Sequence, residues 1–417
     1  MLRGLLKRQS GGKGESMAKP TVFVSRMIPQ EGIDLLKTQC DVTVSPHDRV
    51  LTKQELIDGL RGKDALLCLL TDKIDAEVLD SNPKLRIVSN YAVGFDNVDL
   101  PACTVRGLPV TNTPGVLTES VADHAMALML AVSRRIAEGD KVTKAAQYPG
   151  WSPMYMLGGD VYERTLGILG LGRIGKSVAE RAFKGFRMKI LYYDVIRDPQ
   201  FEKDVHAKFC TVDEVLKNSD FVSIHVPLLP TTRHMISDAQ FKMMKPTAYL
   251  INTSRGPVID EAALVRALQN KTIAGAGLDV FEFEPKLSPG MEKLDNLVVT
   301  PHLASATFAT RAAMAKLAAQ NVIDVLNGKT PATQINGKEI QVGPGYKLPF
   351  YLRNGRAVKS YHELALVLEN SDDDYKYHVN GQRNDFAKWI GDVFKDTRTA
   401  KKLTQARNKM EAAAVLK

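Results

Sequence analysis

The stretch Thr165-Leu-Gly-Ile-Leu-Gly170-Leu-Gly172-Arg-Ile-Gly175 decides the fold of this 417-residue chain. A run with strand character leads directly into three glycines spaced G-x-G-x-x-G, and a helical pattern follows. The first glycine permits a tight turn, the second lets a phosphate approach the backbone, and the third lets helix and strand pack closely. Free N–H groups and the dipole at such a helix start favour an anion. The stretch therefore predicts a dinucleotide-binding unit.

An acidic residue follows where such a unit needs one. The next predicted strand, Lys189–Tyr193, ends at Asp194, nineteen residues after Gly175. A carboxylate there can accept hydrogen bonds from the ribose of NAD and repels the 2′-phosphate of NADP. NAD is therefore the predicted cofactor, although Arg197 could soften the preference. A chance glycine turn with a solvated Asp194 is disfavoured because strand, helix and acid all match the pattern.

Strand-like and helix-like runs alternate over residues 20–335, which predicts parallel sheets with helices on both faces. The first series has predicted strands at Thr21–Ser25, Asp41–Val44, Ala65–Leu70, Arg86–Asn90 and Pro109–Asn112, and helices at Pro29–Thr38 and Lys53–Arg61. The second series has predicted strands at Thr165–Leu169, Lys189–Tyr193, Phe221–His225, Tyr249–Asn252, Gly275–Asp279 and Leu297–Thr300. Six strands are the number in a complete dinucleotide-binding fold.

Two long helical patterns frame the second series. Ser120–Ile136 begins at the capping-like Thr118-Glu119-Ser120, and Thr307–Leu326 is stopped by Asn327-Gly328. These helices can carry the chain from one domain to the other and back. We therefore expect an α/β protein with two Rossmann-like, doubly wound domains. A discontinuous substrate-binding domain would comprise residues 17–117 and 308–335, and an NAD-binding domain residues 118–307.

The two ends of the chain differ in composition from this core. Residues 1–16 are basic and rich in Ser and Gly, and we expect a disordered leader or a true start at Met17. Residues 336–349 are rich in Gly, Pro and Lys and predict a linker. Residues 350–417 carry two amphipathic patterns, near 360–369 and 385–394, and predict a small, mainly helical C-terminal module. In the second pattern, helical spacing predicts core packing for Phe386, Trp389, Ile390 and Phe394.

Charge and cysteine usage exclude several classes of protein. The net charge of +9 lies in the tails, because residues 1–19 hold five basic residues against one acid and residues 336–417 hold fifteen against ten. No nucleic-acid partner is therefore expected. No apolar run approaches the roughly 20 residues of a membrane span. The cysteines form no CxxC pair, so no metal site is predicted, and four thiols in so long a chain favour the reducing cytoplasm.

Three polar residues follow predicted strands of the second series, at the edge where open α/β sheets bind ligands. Arg255 follows Tyr249–Asn252 and offers a planar fork suited to a carboxylate. His302 can exchange a proton near neutral pH, and Glu284 can hold its imidazole in one tautomer. Taken alone, Arg255 would be interpreted as a surface arginine, His302 as a structural histidine and Glu284 as a loop acid. Together they are what the reduction of a keto acid requires.

The chain resembles the D-isomer-specific 2-hydroxyacid dehydrogenase family over residues 17–335. The matching blocks are Asn90-Tyr-Ala-Val-Gly-Phe-Asp-Asn-Val-Asp99, the glycine motif, His225-Val-Pro-Leu228, Asn252–Gly256, Gly275–Pro285 and Thr300–Ser305. The resemblance implies a bilobal enzyme, usually a dimer, in which Arg255 binds and polarises the substrate, His302 is the acid/base and Glu284 its partner. It also implies that backbone N–H groups of Val93 and Gly94 bind the substrate carboxylate. The implied cofactor-binding residues are Gly170, Gly172, Arg173, Ile174, Gly175, Asp194, Val226, Pro227, Thr253 and Asp279, the last near the nicotinamide carboxamide.

The branch of the family is indicated by three features: the block Ala65-Leu-Leu-Cys-Leu-Leu-Thr-Asp-Lys-Ile-Asp75, Trp151, and Asp160-Val-Tyr. These are most similar to glyoxylate/hydroxypyruvate reductases, which implies reduction of a small 2-keto acid. Two alternatives stay open, an NAD-sensing scaffold and a D-3-phosphoglycerate or D-lactate dehydrogenase. The chain departs from the family at Asp123, where Glu is usual, and at Ala304, where Gly is common and a methyl group would narrow the pocket.

Overall fold

The computed structural model describes residues 18–336 without a break. Beyond them it describes residues 350–351, 357–358, 361–370, 375, 379–380, 383–394 and 397–416. The predicted leader, residues 1–16, and all but the first residue of the predicted linker, residues 336–349, lie outside this part of the chain. The described chain divides into two compact units, one ending at Thr113 and resuming over Ala312–Gln334, the other formed by Pro114–Arg311 and the chain from Ile335 onward.

The first unit is built on a five-stranded parallel sheet in the order β2-β1-β3-β4-β5. Its strands are β1 (Thr21–Val24), β2 (Asp41–Val44), β3 (Ala65–Leu69), β4 (Ile87–Tyr91) and β5 (Val110–Thr111). Its helices are α1 (Gln30–Lys37), α2 (Lys53–Leu60), α3 (Ala76–Asp80) and α4 (Leu100–Val105). The central strands β3 and β4 are almost wholly buried, as expected of parallel strands covered on both faces.

The second unit is built on a seven-stranded parallel sheet in the order β12-β11-β10-β9-β6-β7-β8. Its strands are β6 (Thr165–Leu169), β7 (Lys189–Tyr193), β8 (Lys208–Phe209), β9 (Phe221–Ile224), β10 (Tyr249–Asn252), β11 (Gly275–Leu278) and β12 (Leu297–Val299). Its helices are α5 (Thr118–Ser133), α6 (Ile136–Lys144), α7 (Arg173–Phe186), α8 (Pro199–Val205), α9 (Val212–Asn218), α10 (Asp238–Met243) and α11 (Glu261–Gln269). The chain then enters α12 (Phe308–Leu326), within which it passes into the first unit.

The predicted α/β class with parallel sheets is confirmed, and six of the seven strands of the second unit lie where the sequence predicts them. The two-residue strand β8 was missed, because its side chains are exposed and carry no apolar pattern. The strand order reverses between β6 and β9. This switch point is where doubly wound sheets bind their ligands, and the glycine motif follows β6 directly.

The prediction of one helix from Ser120 to Ile136 was wrong in two respects. The helix α5 starts at Thr118, and Leu117 precedes it without any side-chain capping bond. The helix ends at Ser133, because Arg135 takes a left-handed conformation with φ 54° and α6 begins after it. By contrast, α12 ends as predicted, and Gly328 has φ 74°.

The described part of the C-terminal segment is helical with two short hairpins. The hairpins pair β13 (Phe350–Tyr351) with β14 (Ala357–Val358) and β15 (Val379–Asn380) with β16 (Arg383–Asn384). The helices are α13 (Tyr361–Asn370), α14 (Asp385–Phe394), α15 (Thr397–Gln405) and α16 (Lys409–Leu416). Phe386, Trp389 and Ile390 are buried in one apolar cluster, which confirms their predicted core role, whereas the side chain of Phe394 lies outside the described part of the chain. No helix in the described ranges is long and apolar enough to cross a membrane.

Close approach of main chains leaves no room for a side chain at two glycines of the motif. Gly170 has φ 97°, and a Cβ there would lie 2.8 Å from the carbonyl of His225. A Cβ on Gly175 would lie 2.1 Å from the carbonyl oxygen of Gly170, which is backbone and cannot turn aside. The helix α7 can therefore begin against β6 only because Gly175 has no side chain.

We predict that Gly175→Ala lowers the free energy of unfolding by about 1–3 kcal/mol, the usual cost of forcing a methyl group into a packed site. The matched control is Gly185→Ala in the same helix, where nothing lies within 4 Å of an added Cβ. Its stability should be unchanged or raised by up to about 1 kcal/mol, because Ala favours helix. Urea unfolding of both variants measures the difference. Equal stabilities of the two would contradict the role given to Gly175.

Candidate active site

The residues predicted for chemistry follow the carboxyl ends of strands in the second unit. Arg255 lies three residues beyond β10, Asp279 directly follows β11, and His302 lies three residues beyond β12. Because neighbouring strands of this sheet are parallel, these ends share one edge. The sheet therefore collects the three positions at the edge that follows the glycine turn.

The imidazole of His302 and the carboxylate of Glu284 form a pair. Nδ1 of His302 lies 3.1 Å from Oε2 of Glu284, and the two side chains are 27% and 33% exposed. Oε1 of Glu284 accepts a hydrogen bond from the N–H of Phe281 at 3.0 Å, which fixes the carboxylate. A carboxylate on Nδ1 holds the proton there and leaves Nε2 as the nitrogen that exchanges protons. This geometry suits a general acid/base that works through Nε2.

The buried carboxylate of Asp279 organises the loop that carries His302. Oδ1 accepts hydrogen bonds from Thr300 Oγ1 at 2.6 Å and Leu303 N at 2.7 Å, and Oδ2 accepts from Ala304 N at 2.8 Å. His302 N donates to the main-chain oxygen of Asp279 at 2.9 Å. Burial alone would raise the pKa of Asp279, but hydrogen bonds from His124, Thr300, Leu303 and Ala304 together hold it below its usual value. Asp279 therefore stays ionised and fixes the loop.

A histidine on α5 joins this arrangement. Nε2 of His124 lies 2.9 Å from Thr300 Oγ1 and 3.2 Å from Asp279 Oδ1. The Thr300 hydroxyl donates its proton to Asp279, so it accepts from His124. His124 is not among the residues predicted from the sequence, although its neighbour Asp123 departs from the family pattern. Nothing in the sequence places His124 beside Asp279, because the two residues lie more than 150 positions apart.

The turn that carries Arg255 is braced by Asn252. The side-chain amide of Asn252 donates to Arg255 O at 2.9 Å, and its Oδ1 accepts from Ser254 N at 2.9 Å. A Cβ on Gly256 would lie 1.9 Å from the carbonyl group of Phe281. Glycine at this position therefore lets the Arg255 turn touch the segment that ends in Glu284.

The segment that ends in Glu284 also has contacts on its other side, through two acids, Glu261 and Glu282, that were not predicted from the sequence. Glu282 N donates to Glu261 Oε1 at 2.6 Å, and His234 Nε2 lies 2.6 Å from Glu282 Oε1. Burial raises the pKa of Glu261. No local motif marks these residues, since Glu261 sits in the first turn of α11, where an acid is commonplace.

The residues present fit a bound dinucleotide. The space in front of Gly172 is open, with nothing within 4 Å of an added Cβ, while Arg173 and Ile174 form the first turn of α7. Asp194 accepts from Leu171 N at 2.6 Å and from Ile196 N at 3.2 Å, so the acid lies against the glycine turn. Beyond β9, Val226 is buried and Pro227 exposed. Among the described residues, the buried hydroxyl of Thr253 has no hydrogen-bond partner, as expected of a group awaiting a ligand.

Arg197, which could soften a preference for NAD, is already engaged. Its Nε and Nη2 lie 2.7 Å from the two oxygens of Glu202. The hydrogen bond from Arg197, with a second from Tyr192, lowers the pKa of Glu202 to about 2. A phosphate would have to compete with the Glu202 carboxylate for this guanidinium.

Two predicted residues lie in the first unit. Val93 and Gly94 occupy the loop that follows β4, and both are partly exposed. The structure thus brings Glu284, His302, Asp279 and the Arg255 turn together in the second unit, and places the predicted carboxylate-binding amides on a different one.

Comparison with known proteins identifies the family. The family model "D-isomer specific 2-hydroxyacid dehydrogenase, NAD binding domain" matches residues 126–304. A glyoxylate reductase of Thermococcus gammatolerans is 48% identical over 334 residues, which are 79% of this chain and 100% of that protein. The chain belongs to the D-isomer-specific 2-hydroxyacid dehydrogenase family. It is an oxidoreductase.

Solved structures of this dehydrogenase family show the same fold with either cofactor. One is an NADPH-dependent glyoxylate/hydroxypyruvate reductase of Sinorhizobium meliloti in complex with NADP and malonate. It is 31% identical with a TM-score of 0.68, over 76% of this chain and 97% of that one. Another is a D-lactate dehydrogenase of Aquifex aeolicus complexed with NAD and lactic acid. It is 31% identical with a TM-score of 0.67, over 76% of this chain and 99% of that one. The dehydrogenase described here therefore uses a nicotinamide dinucleotide.

We predict that Asp279→Asn lowers the free energy of unfolding by about 2 kcal/mol at pH 7, since hydrogen bonds to a charged group contribute about 1.5–3 kcal/mol. The deficit should shrink on acidification. Because the folded pKa of Asp279 lies below its usual 3.8, the carboxylate's contribution is complete above that value and is lost as pH falls through the folded pKa. Urea unfolding at several pH values between 7 and 3 measures this.

The control for this pH series is Asp123→Asn, an exposed acid whose carboxylate pairs with Arg181 at 2.7 Å. Exposed ion pairs contribute about 0–1 kcal/mol, so this variant should track the parent protein at every pH. A deficit in Asp279→Asn that stays constant or widens toward pH 3 would contradict the assigned state of Asp279.

Proposed function

We propose that this enzyme reduces a small 2-keto acid, glyoxylate or hydroxypyruvate, to the D-2-hydroxy acid with NADH. The observation that carries the proposal is the His302–Glu284 pair, held at 3.1 Å on the sheet edge that also carries the Arg255 turn and the glycine turn. The substrate class is supported by the relative at 48% identity, which is named a glyoxylate reductase. That identity is well above the 31% shared with the D-lactate dehydrogenase structure.

In the proposed reaction, His302 delivers the proton from Nε2 to the carbonyl oxygen of the substrate. Glu284 stabilises the imidazolium that precedes transfer, because a carboxylate on Nδ1 compensates its charge. Arg255 binds and polarises the keto acid, and backbone N–H groups of Val93 and Gly94 bind its carboxylate. NADH supplies the hydride when bound. We assign its binding to Gly170, Gly172, Arg173, Ile174, Gly175, Asp194, Val226, Pro227, Thr253 and Asp279.

We further propose that NADH is preferred over NADPH. Asp194 lies against the glycine turn, where its charge repels a 2′-phosphate. Arg197, the arginine that could bind such a phosphate, is paired with Glu202. Both observations favour an unphosphorylated ribose.

The deciding experiment measures NADH oxidation with glyoxylate, hydroxypyruvate, pyruvate and 3-phosphohydroxypyruvate, and repeats it with NADPH. We expect kcat/KM to be highest for glyoxylate or hydroxypyruvate with NADH. His302→Ala should lower kcat by about 10²-fold or more, the usual contribution of a general acid, with little change in the Kd for NADH. As a control, the exposed His206→Ala should keep full activity.

Three results of this experiment would count against the proposal. Binding of NADH by the parent protein without reduction of any keto acid would favour the sensing scaffold. Preference for 3-phosphohydroxypyruvate or pyruvate would assign another branch of the family. Full activity of His302→Ala would remove the proposed proton donor.

We also propose a cytoplasmic homodimer. The four cysteines are unpaired, in keeping with a reducing compartment. The chain between α6 and β6 exposes Trp151 at 83% and Met154 at 75% of their surface, which is unusual for a monomer. A second copy of the chain can cover these side chains.

Sedimentation velocity tests the dimer. The parent protein should sediment with the mass of two chains, and Trp151→Ser combined with Met154→Ser should shift it toward one chain because apolar burial is lost. Val195→Ser is the control, since Val195 is also exposed but lies elsewhere in the unit. A monomeric parent protein would refute the dimer, and a double variant that still dimerises would exclude this segment from the interface.

A further inference from the structure

The loop after β4 has two consecutive main-chain carbonyls bound by neighbouring residues. Ala92 O accepts a hydrogen bond from Thr113 N at 2.8 Å. Val93 O accepts one from the side-chain amide of Asn112, also at 2.8 Å. Both donors lie just beyond β5, so both carbonyls face the same short segment of chain.

These two bonds determine where the next N–H groups point. In a trans peptide, the N–H of one residue is directed opposite to the carbonyl of the residue before it. The bond on Ala92 O therefore sets the direction of the Val93 N–H, and the bond on Val93 O sets that of the Gly94 N–H. Because both carbonyls face the segment 112–113, both N–H groups face away from it.

A second buried amide fixes the other side of Gly94. Asn90, which is fully buried, donates from Nδ2 to Gly94 O at 2.9 Å. It also exchanges hydrogen bonds with Asn97, whose own amide donates to Leu69 O and Asp72 O at 3.0 Å each. The peptide groups on both sides of Gly94 are thus held by asparagine side chains.

Asn112 itself cannot turn, because its main chain is anchored. Asn112 N donates to Thr333 O at 3.3 Å, and Asn112 O accepts from Thr333 Oγ1 at 2.6 Å. Asn112 is also 94% buried, with 6% of its surface exposed. Its side-chain amide is therefore a fixed donor, and the direction it imposes on the Gly94 N–H is fixed too.

The N–H groups of Val93 and Gly94 have no acceptor among the described residues, and both residues are partly exposed. Oriented N–H groups of successive residues form a site for an anion, and donors fixed in advance lose no freedom when it binds. A carboxylate on the substrate is the anion that the proposed function supplies.

We propose that Asn112, supported by Asn90, is a positioning residue for the substrate carboxylate: it holds the Val93–Gly94 peptide in the orientation that presents its N–H. The inference rests on the proposed function for the identity of the anion. Asn112 does not touch the substrate in this scheme, and acts only through the peptide group that it holds.

The test is Asn112→Ala compared with Asn82→Ala. Asn82 is the matched control because it is equally buried in the same unit and its amide also braces main-chain carbonyls, those of Leu60 and Lys63 at 2.8 and 2.7 Å. Both variants should lose a similar amount of thermal stability, because each loses hydrogen bonds of the same kind. The two roles separate in the kinetics.

Asn112→Ala should raise the KM for glyoxylate about tenfold, equivalent to about 1.4 kcal/mol of binding. It should change kcat and the KM for NADH by no more than about twofold, since a ground-state contact is lost and not the acid. Asn82→Ala should leave all three unchanged. Equal effects of the two variants on the KM for glyoxylate would overturn the inference.

Two additions keep the test decisive. Asn112→Ser, which keeps a buried hydroxyl but is too short to hold Val93 O, replaces Asn112→Ala if that variant does not fold, with the same expected result.

Calorimetric titration of the NADH complex with oxalate measures anion binding without turnover, and Asn112→Ala should weaken it about tenfold. If the parent protein binds oxalate but reduces no keto acid, the proposed function fails while this comparison still stands. If it does not bind oxalate at all, the inference fails.

Discussion

The active site depends on the burial of one charge. Asp279 is fully buried, and a buried carboxylate without partners would cost several kcal/mol, so the chain must supply donors to it. Besides His124 on α5, the donors come from the loop beyond β12, which closes over Asp279 and holds His302 in a left-handed conformation with φ 56°. A histidine in that conformation needs support from its surroundings. The electrostatic requirement of Asp279 is therefore also the reason that the imidazole of His302 has a fixed place beside Glu284.

Close approach of main chains is the second constraint. Gly256 and Gly170 each lie against a neighbouring strand end, at distances that a side chain would prohibit. Gly256 brings the Arg255 turn onto the segment of Glu284, and Gly170 brings the nucleotide turn onto the segment of Val226. The two glycines have different roles in the sequence motifs but the same physical effect. They let consecutive strand ends touch, so that side chains from separate strands reach one site.

Much of this arrangement could be predicted because its signals are local. The glycine spacing, the apolar strands and the polar residues after them are all visible within a few positions of each other, and parallel strands then align their ends. The break at Arg135 could not be predicted, since no Gly or Pro marks it in the sequence. His124 was missed for a related reason. Its partners Thr300 and Asp279 are distant in sequence, and only folding makes a histidine inside an apolar helix part of the active site.

The proposed chemistry uses two kinds of group. Arg255, Glu284 and His302 would act through side chains, which a single substitution can remove. Val93 and Gly94 would act through peptide N–H groups, which no substitution other than proline can remove. Recognition of the carboxylate by main chain is therefore resistant to direct mutation, and it can change only through the side chains that orient the peptide. Asn90 and Asn112 are such side chains, and both are buried and anchored by further hydrogen bonds. Selection on substrate recognition would then act on buried amides that never meet the substrate, which are residues that a comparison of exposed site positions would overlook.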